Sequence, residues 1–413
     1  MTKNASKILL ALLFLAILPY NQMALVPSYA RQLISIAIYT IRATLIIIVL
    51  FYTKQYKIEE PIRKSFKQIT LYFVLILILN IISTLINASE NINILSSLIS
   101  RSFSITYIFF VVTYIAYNVR HFNTFCQILK YILALLLFLS IYTYLYIPSI
   151  GKHPGGYGTT YLIGILSNRN SVFDIAMPAL LLSIYDIGNK GNRLLNGSII
   201  CIAVLTILLS KSMTGIISLA FCIVIITTNL IINNKSLIIK IINSLCLIIL
   251  VTAQVLIISN ASFTHIAKIA NKSDTLSDRT IIWEKAKIYI SRRPLLGYGY
   301  DNNIIEDNNI EEYKNASFPN DTHNSMFYVL LASGIIGLIM LVSLIIYSIK
   351  CASVLTLKSN NYIYILFFMY TNIFRGITES CWHYSHIIFF AMMIFSIYLY
   401  NLDGKNKQNE ENK

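Results

Sequence analysis

An all-α protein that crosses a membrane many times is what this sequence predicts, and composition, hydropathy and charge placement each say so. Of its 413 residues, 56% are hydrophobic and 12% charged, with mean hydropathy +0.66. A soluble chain of this size could not bury so much apolar surface, so the bilayer must act as part of its solvent. Runs such as Leu71–Leu85, Leu133–Ile147, Leu237–Ile258 and Met326–Ile349 are long and nearly uncharged. Nothing alternates as barrel strands do. Lipid offers no partner for open backbone groups, so the spanning element is the helix.

The apolar windows predict about twelve transmembrane helices, at 8–28, 33–52, 68–86, 102–119, 127–147, 171–188, 195–210, 213–232, 237–258, 326–348, 361–376 and 386–401. The first follows Lys3 and Lys7, and no small-residue cleavage site ends it, so it reads as a retained signal-anchor. The segments at Lys54–Lys67, Arg120–Lys130, Lys190–Arg193, Lys235–Lys240, Lys350–Lys358 and Lys405–Lys413 are basic. Placing them and both termini in the cytoplasm satisfies the positive-inside rule. The net charge of +15 is therefore mostly topogenic, and nucleic-acid binding is not supported. The chain divides into a bundle of about nine helices at 1–258, a large external loop at 259–325, further transmembrane helices at 326–401, and a cytoplasmic tail at 402–413.

The external loop holds half of the chain's carboxylates, and loops of that length are usually functional or disordered. Within Thr280–Ile290, Ile282, Trp283, Ala286, Tyr289 and Ile290 recur at helical spacing, and Ser277 or Asp278 can cap the start. The pattern predicts an amphipathic helix on the outer membrane face. "RRPLLGYGYDNN" then breaks it, with Pro294, Gly297 and Gly299 as turn residues. The six cysteines show no CxxC and no ladder, so they read as small core residues rather than as a disulfide frame or a metal site.

Several polar residues stand where a membrane does not tolerate them idly. Arg42, near the middle of the second span, needs a cavity or a partner on a neighbouring helix. Lys211 sits at the external turn of a tight hairpin, as a snorkelling lysine or a substrate cation. Arg169 opens the sixth span, with Asn168 and Asn170 as candidate helix caps. Arg279 opposes the dipole at its helix start, so it is not there for helix stability. Trp283 reads as an interfacial anchor or a substrate platform, and His153 as a loop histidine. Arg375, Glu379 and His383 cluster near the last external turn, where an internal Arg375–Glu379 pair is the plain alternative to substrate binding. His323 enters the tenth span from outside, followed by Asn324. Behind it, Ala332, Ser333, Gly334 and Gly337 form a small face suited to close helix packing. Together these make a rim of fixed cations around one histidine. Cations there can hold an anionic lipid head group such as a diphosphate, and a neutral imidazole can accept a proton from an attacking hydroxyl.

The run "SDRTIIWEKAKIYISRRPLLGYGYDN" followed by "THNSMFYVLLASGIIG" resembles the signature region of the bacterial O-antigen ligase/polymerase superfamily. "GILSNRNSVF", "LLSKSMTG" and "GITES" resemble that family's further segments, in the right order over roughly residues 160 to 385. The resemblance implies a metal-independent membrane glycosyltransferase, GT-C-like in fold and without a cofactor. It would take an undecaprenyl-diphosphate-linked oligosaccharide as donor on the outer face of the bacterial inner or cytoplasmic membrane. By position, His323 resembles the family's essential histidine and Arg279 its diphosphate-binding arginine. Lys211 stands where an arginine is usual, so it keeps the charge and loses the bidentate fork. Arg169, Asn324, Trp283, Arg375 and Glu379 are the candidates for substrate binding. The implied partners are the lipid-linked oligosaccharide, membrane lipid, a chain-length regulator and a flippase.

A repeat-unit polymerase and a ligase remain to be separated. Richness in Ile, Asn, Lys and Tyr suits a low-GC genome, including those of Gram-positive cells that lack lipid A-core, and Thr378–Ser380 looks like the T-E-S of polymerase-type members; both favour the polymerase. The reading from a different class is a flippase for the same lipid-linked glycan. A flippase would show two similar halves, whereas here the chemistry gathers in one asymmetric loop and no internal repeat is evident.

Overall fold

The structure, a computed structural model, describes residues 28–54, 60–87, 102–103, 106–107, 119–154, 159–166, 168–231, 235–258, 275–299, 322–358, 362–380, 392–393, 396–397 and 399–400. Most of the expected spans at 8–28, 102–119 and 386–401 lies outside these residues. So do the tail at 402–413, Cys381, His383 and the parts of the external loop on either side of its helix.

The described residues are almost wholly helical: α1 (Ser28–Lys54), α2 (Glu60–Asn87), α3 (Val119–Tyr146), α4 (Val172–Gly188), α5 (Arg193–Ser210), α6 (Met213–Ile231), α7 (Lys235–Ile258), α8 (Thr275–Arg292), α9 (Ser325–Lys358) and α10 (Ile363–Arg375). Helices α4 to α6 begin and end within two residues of the apolar windows. Asn192 caps α5, its side chain accepting from the Leu195 amide at 3.1 Å. A two-stranded antiparallel hairpin, β1 (Lys152–Pro154) and β2 (Thr160–Leu162), follows α3 with His153 opposite Tyr161.

Among the described residues, four helices are long and apolar enough to cross a membrane: Ile69–Ile86, Cys126–Tyr146, Arg193–Ser210 and Ser325–Lys358. Their faces are inverted relative to a soluble bundle. On α2 the exposed residues are Leu71, Val74, Leu75, Ile78, Ile82 and Leu85, while Asn80, Ser83 and Thr84 are buried. That apolar stripe at helical spacing is a lipid-facing surface, and the polar residues meet protein. Helix α4 is the centre, buried almost continuously from Val172 to Ser183 and packed by α3, α5 and α10.

Three of the basic segments lie wholly within helices, Lys235–Lys240 as the first turns of α7. Lys350–Lys358 forms the last turns of α9, because Cys351, Ala352 and Leu355 continue its buried face. Lys130 lies inside α3, 1% exposed, and donates to Asp186 Oδ2 at 2.6 Å and Asn196 Oδ1 at 2.8 Å. Asn196 closes the triad on the same carboxylate oxygen at 2.8 Å. A lysine buried this far requires such a paired anion. Arg42 on α1 stands 5.6 and 5.5 Å from the ring centres of Tyr39 and Tyr107, so aromatic faces form part of its surroundings.

Helix α9 is broken at Gly334, whose φ of +64° and ψ of −166° leave the helical region. The loop after α8 fills the break. Tyr298 and Gly299 donate to the carbonyls of Leu331 and Ala332 at 2.6 and 2.9 Å, and Ile335 and Ile336 donate to Pro294 and Leu295 at 2.8 and 3.4 Å. The loop thus caps both half-helices and satisfies the backbone groups the break exposes. Gly297 (φ +67°) and Gly299 (φ +96°) allow it to come that close. The small face of α9 was expected to admit a helix; at Gly334 it admits this loop, while Ser333 and Gly337 meet helix α2. Ser333 donates to Asn80 Oδ1 at 3.2 Å, and Ser83 donates to Leu296 O at 2.7 Å, so α2 holds the clip from behind.

Candidate active site

The site is assembled from the start of α9 upward. Asn324 precedes the helix, is fully buried, and accepts from the Phe327 amide at 3.0 Å, which makes it the N-cap. Its amide nitrogen donates to Ile377 O at 3.0 Å and to Gln254 Oε1 at 3.3 Å. Ser325 donates from its amide to Gly376 O at 2.8 Å and from its hydroxyl to Glu379 O at 2.7 Å. Thr322 and Ser380 join hydroxyls at 3.1 Å. The segment 322–325 is thereby laced to the turn 376–380 at the end of α10.

Between those anchors His323 takes a left-handed backbone, φ +47°. This conformation costs a non-glycine residue about 1–3 kcal/mol and persists only where the surroundings enforce it. The expected amphipathic helix, α8, enforces it from one side. Its apolar face packs against α9, and Trp283 on that face is 3% exposed. The indole nitrogen donates to Thr322 O at 3.0 Å, fixing the peptide that precedes His323. Trp283 and Asn324, both candidates for substrate contact, are buried and hydrogen-bonded internally on either side of His323.

Glu379 is the hub. Its Oε1 accepts from Arg279 Nη2 at 3.0 Å and Asn170 Nδ2 at 2.7 Å, and its Oε2 lies 3.5 Å from His323 Nδ1, a close electrostatic approach rather than a hydrogen bond. Arg279 also donates to Thr378 O at 2.8 Å. Burial alone would raise the Glu379 carboxyl, but the adjacent His323 ring and the charges of Arg279 and Arg375 outweigh it and hold the group below its ordinary value. Glu379 is therefore an anion at neutral pH.

Arg375 does not take Glu379 as its direct partner. It pairs with Asp174 in the first turn of α4 and donates to Asn170 O at 3.0 Å. Asn170, which the sequence offered as a helix cap, points its side chain the other way, to Glu379 and to the Ser212 hydroxyl at 2.9 Å. Asp174 and Ser212 were not among the expected residues. Asp174 carried a signal, a lone carboxylate in the first turn of an apolar span; Ser212 carried none beyond its place after Lys211.

Arg169 and Lys211 lie apart from this hub, both over one ring. The Arg169 guanidinium is 4.9 Å from the Tyr161 centroid and the Lys211 ammonium 5.7 Å. Lys211 ends α5 in a left-handed conformation, φ +49°, and its side chain is exposed. His153 is exposed on the hairpin, with Nδ1 2.8 Å from Pro154 O, away from the hub just described. The arrangement offers a partly exposed imidazole held by a carboxylate, fixed cations nearby, and a rigid polar network beneath them.

No curated protein matches the chain significantly. Residues 198–342 match the family model described as O-antigen ligase (Wzy_C), a stretch that takes in Lys211, Arg279, Trp283, His323 and Asn324. Arg169 lies ahead of it, and Arg375 and Glu379 beyond it. Over that stretch the chain is similar to the O-antigen ligase family, which supports its resemblance to the O-antigen ligase/polymerase superfamily.

Proposed function

We propose that the protein is a metal-independent glycosyltransferase of a bacterial inner or cytoplasmic membrane, a repeat-unit polymerase that works on an undecaprenyl-diphosphate-linked glycan. In this reading it is a GT-C-like bundle of about twelve helices with both termini in the cytoplasm, and the His323 end faces outward. The observation that carries the reading is the placement of His323 Nδ1 3.5 Å from the buried anion Glu379. A carboxylate at Nδ1 favours the tautomer with the proton on that nitrogen and leaves the Nε2 lone pair available as a base.

The reaction then follows from the residues. An acceptor sugar hydroxyl attacks the anomeric carbon of the donor as the bond from that carbon to the diphosphate oxygen breaks. The hydroxyl proton passes to Nε2, and the electron pair leaves with the lipid diphosphate, whose developing charge meets the fixed cations of the site. Glu379 stabilises the imidazolium that forms. Arg375, paired with Asp174 and bonded to the Asn170 backbone, keeps Asn170 aimed at Glu379. A chain-length regulator and a flippase are the partners this reading calls for.

One observation favours a second reading: the matching family model is described as O-antigen ligase. A ligase would pass the finished glycan to lipid A-core or another acceptor, with the same base and the same leaving group. Cells carrying His323→Ala at normal protein level separate the cases. Single lipid-linked repeats, as in a deletion, support the polymerase. Long glycan that stays on its lipid carrier supports the ligase. Normal length and normal attachment would remove His323 from the chemistry.

A further inference from the structure

Helix α6 begins beside the hub, and its first turn is tied to the Glu379 turn by two routes. Ser212 directly precedes the helix and is 4% exposed. Its Oγ accepts from the Gly215 amide at 3.4 Å and its carbonyl from the Ile216 amide at 2.9 Å, so it is the N-cap of α6. The single proton of that hydroxyl goes elsewhere, to Asn170 Oδ1 at 2.9 Å. Two residues on, the Thr214 and Thr378 hydroxyls join at 2.9 Å, and Thr378 directly precedes Glu379.

The Ser212 bond bears on which way round the Asn170 amide stands. The two ends of that amide are nearly equal in shape, but the oxygen only accepts and the nitrogen only donates. With Ser212 donating to the oxygen, the nitrogen is turned to Glu379 Oε1 at 2.7 Å. Reversed, the amide would set its oxygen against an anion that also only accepts. The chain therefore runs in one direction, from the Gly215 amide through the Ser212 hydroxyl and the Asn170 amide to the carboxylate, and each bond polarises the next. The consequence falls on the other carboxylate oxygen. Asn170 and Arg279 together fill the two lone pairs of Oε1. Held at one oxygen from two directions, the carboxylate cannot turn without losing a bond, and Oε2 stays 3.5 Å from His323 Nδ1.

We propose that Ser212 is a positioning residue for the transfer, acting through Asn170 to fix which oxygen of Glu379 faces His323. The proposal deepens the glycan-transfer reading and rests on it for the reaction that is timed. It also gives a reason for the residue type. Capping α6 asks only for an acceptor, which aspartate would supply. Accepting from the helix while donating onward takes a hydroxyl.

The test uses full-length protein in lipid nanodiscs, with one undecaprenyl-diphosphate-linked repeat as donor. Ser212→Ala should lower kcat about tenfold or more and leave the KM for the donor little changed. Ser212→Thr, which keeps the hydroxyl, should restore most of the rate. Ser212→Ala added to Glu379→Gln should cost no further rate, because the group it positions is already disabled. A second readout needs no turnover. Diethyl pyrocarbonate acylates the neutral imidazole, so labelling of His323 against pH, followed by mass spectrometry, gives the midpoint of its titration. The charges at that ring are Glu379 and, on the same carboxylate, Arg279. The anion favours the protonated ring, so releasing it in Ser212→Ala should move the midpoint down by about half a unit or more. Asn170→Leu leaves the α6 cap intact and carries the same expectation, which guards against a Ser212 variant that fails to fold. The proposal is overturned if His323 titrates in both variants as it does in the wild type. If the midpoint falls but even the wild type extends no glycan, the transferase reading fails and the positioning of His323 stands.

Discussion

Replacing Gly334 by alanine tests whether the break in α9 is what holds the start of that helix in place. The glycine sits at φ +64° and ψ −166°, a region essentially closed to residues with a Cβ. Forcing a side chain to remain there costs about 1–3 kcal/mol. The new Cβ would also stand 2.1 Å from Leu295 O and 2.2 Å from Leu295 C, both backbone atoms that cannot swing aside. The loop must withdraw, and the hydrogen bonds from Ile335 and Ile336 to Pro294 and Leu295 go with it. At about 1 kcal/mol net for each bond, the two losses and the strain together come to about 3–5 kcal/mol. That is a large share of the roughly 5–15 kcal/mol that holds a typical protein folded. Thermal unfolding in detergent reads the loss, and glycan length in cells reads the consequence for His323. Gly197→Ala is the control, since nothing lies within 4 Å of its added Cβ and α5 is regular there; it should be neutral or stabilising by up to about 1 kcal/mol. If Gly334→Ala unfolds at the wild-type temperature and makes wild-type glycan, the clip is not what sets the geometry of α9.

Other variants test other joints of the account. Glu379→Gln should cut glycan transfer sharply with little change in the amount of folded protein. Its pH behaviour follows from the lowered carboxyl. The folded state binds that proton less readily than the unfolded chain, so Glu379 contributes stability above the ordinary carboxylate range. The contribution is lost as pH falls through the lower folded value. The wild-type advantage in unfolding temperature over Glu379→Gln should therefore shrink between neutral pH and about pH 3. Lys130→Met strands Asp186 in a part-buried site and should cost about 3–5 kcal/mol, while Lys130→Met with Asp186→Leu should recover much of it. Trp283→Phe keeps the packed ring and removes the donor to Thr322 O; it should cost about 1–3 kcal/mol and slow transfer, read by unfolding and by product length.

What was legible in the sequence is what local pattern dictates. The ends of α4, α5 and α6 were readable because apolar windows stop at Asn189, Asn192 and Lys211, residues that lipid rejects and turns accept. His323 and Arg279 stood out because each is a poor choice for the local helix, and a residue that serves its own element badly must serve something else. The hub itself was not legible. Arg279 and Glu379 are 100 residues apart, one on α8 and the other just past α10, and no spacing rule spans that distance. Asp174 and Arg375 could have been suspected, since opposite charges at the ends of two apolar helices need each other. That protein covers Trp283 was not legible, because a tryptophan on an amphipathic face looks the same whether lipid or protein covers it. Gly334 was misread for a similar reason: small residues at helical spacing indicate close approach, but not whether a helix or a loop makes it.

The central claim is that His323, oriented by Glu379, takes the proton from the acceptor hydroxyl. Its most direct test is glycan transfer by purified protein in lipid, supplied with one undecaprenyl-diphosphate-linked repeat, wild type against His323→Ala at equal donor occupancy. The account predicts that the wild type builds longer products and releases lipid diphosphate, while His323→Ala binds the donor and leaves it intact. Extension at the wild-type rate by His323→Ala would contradict it.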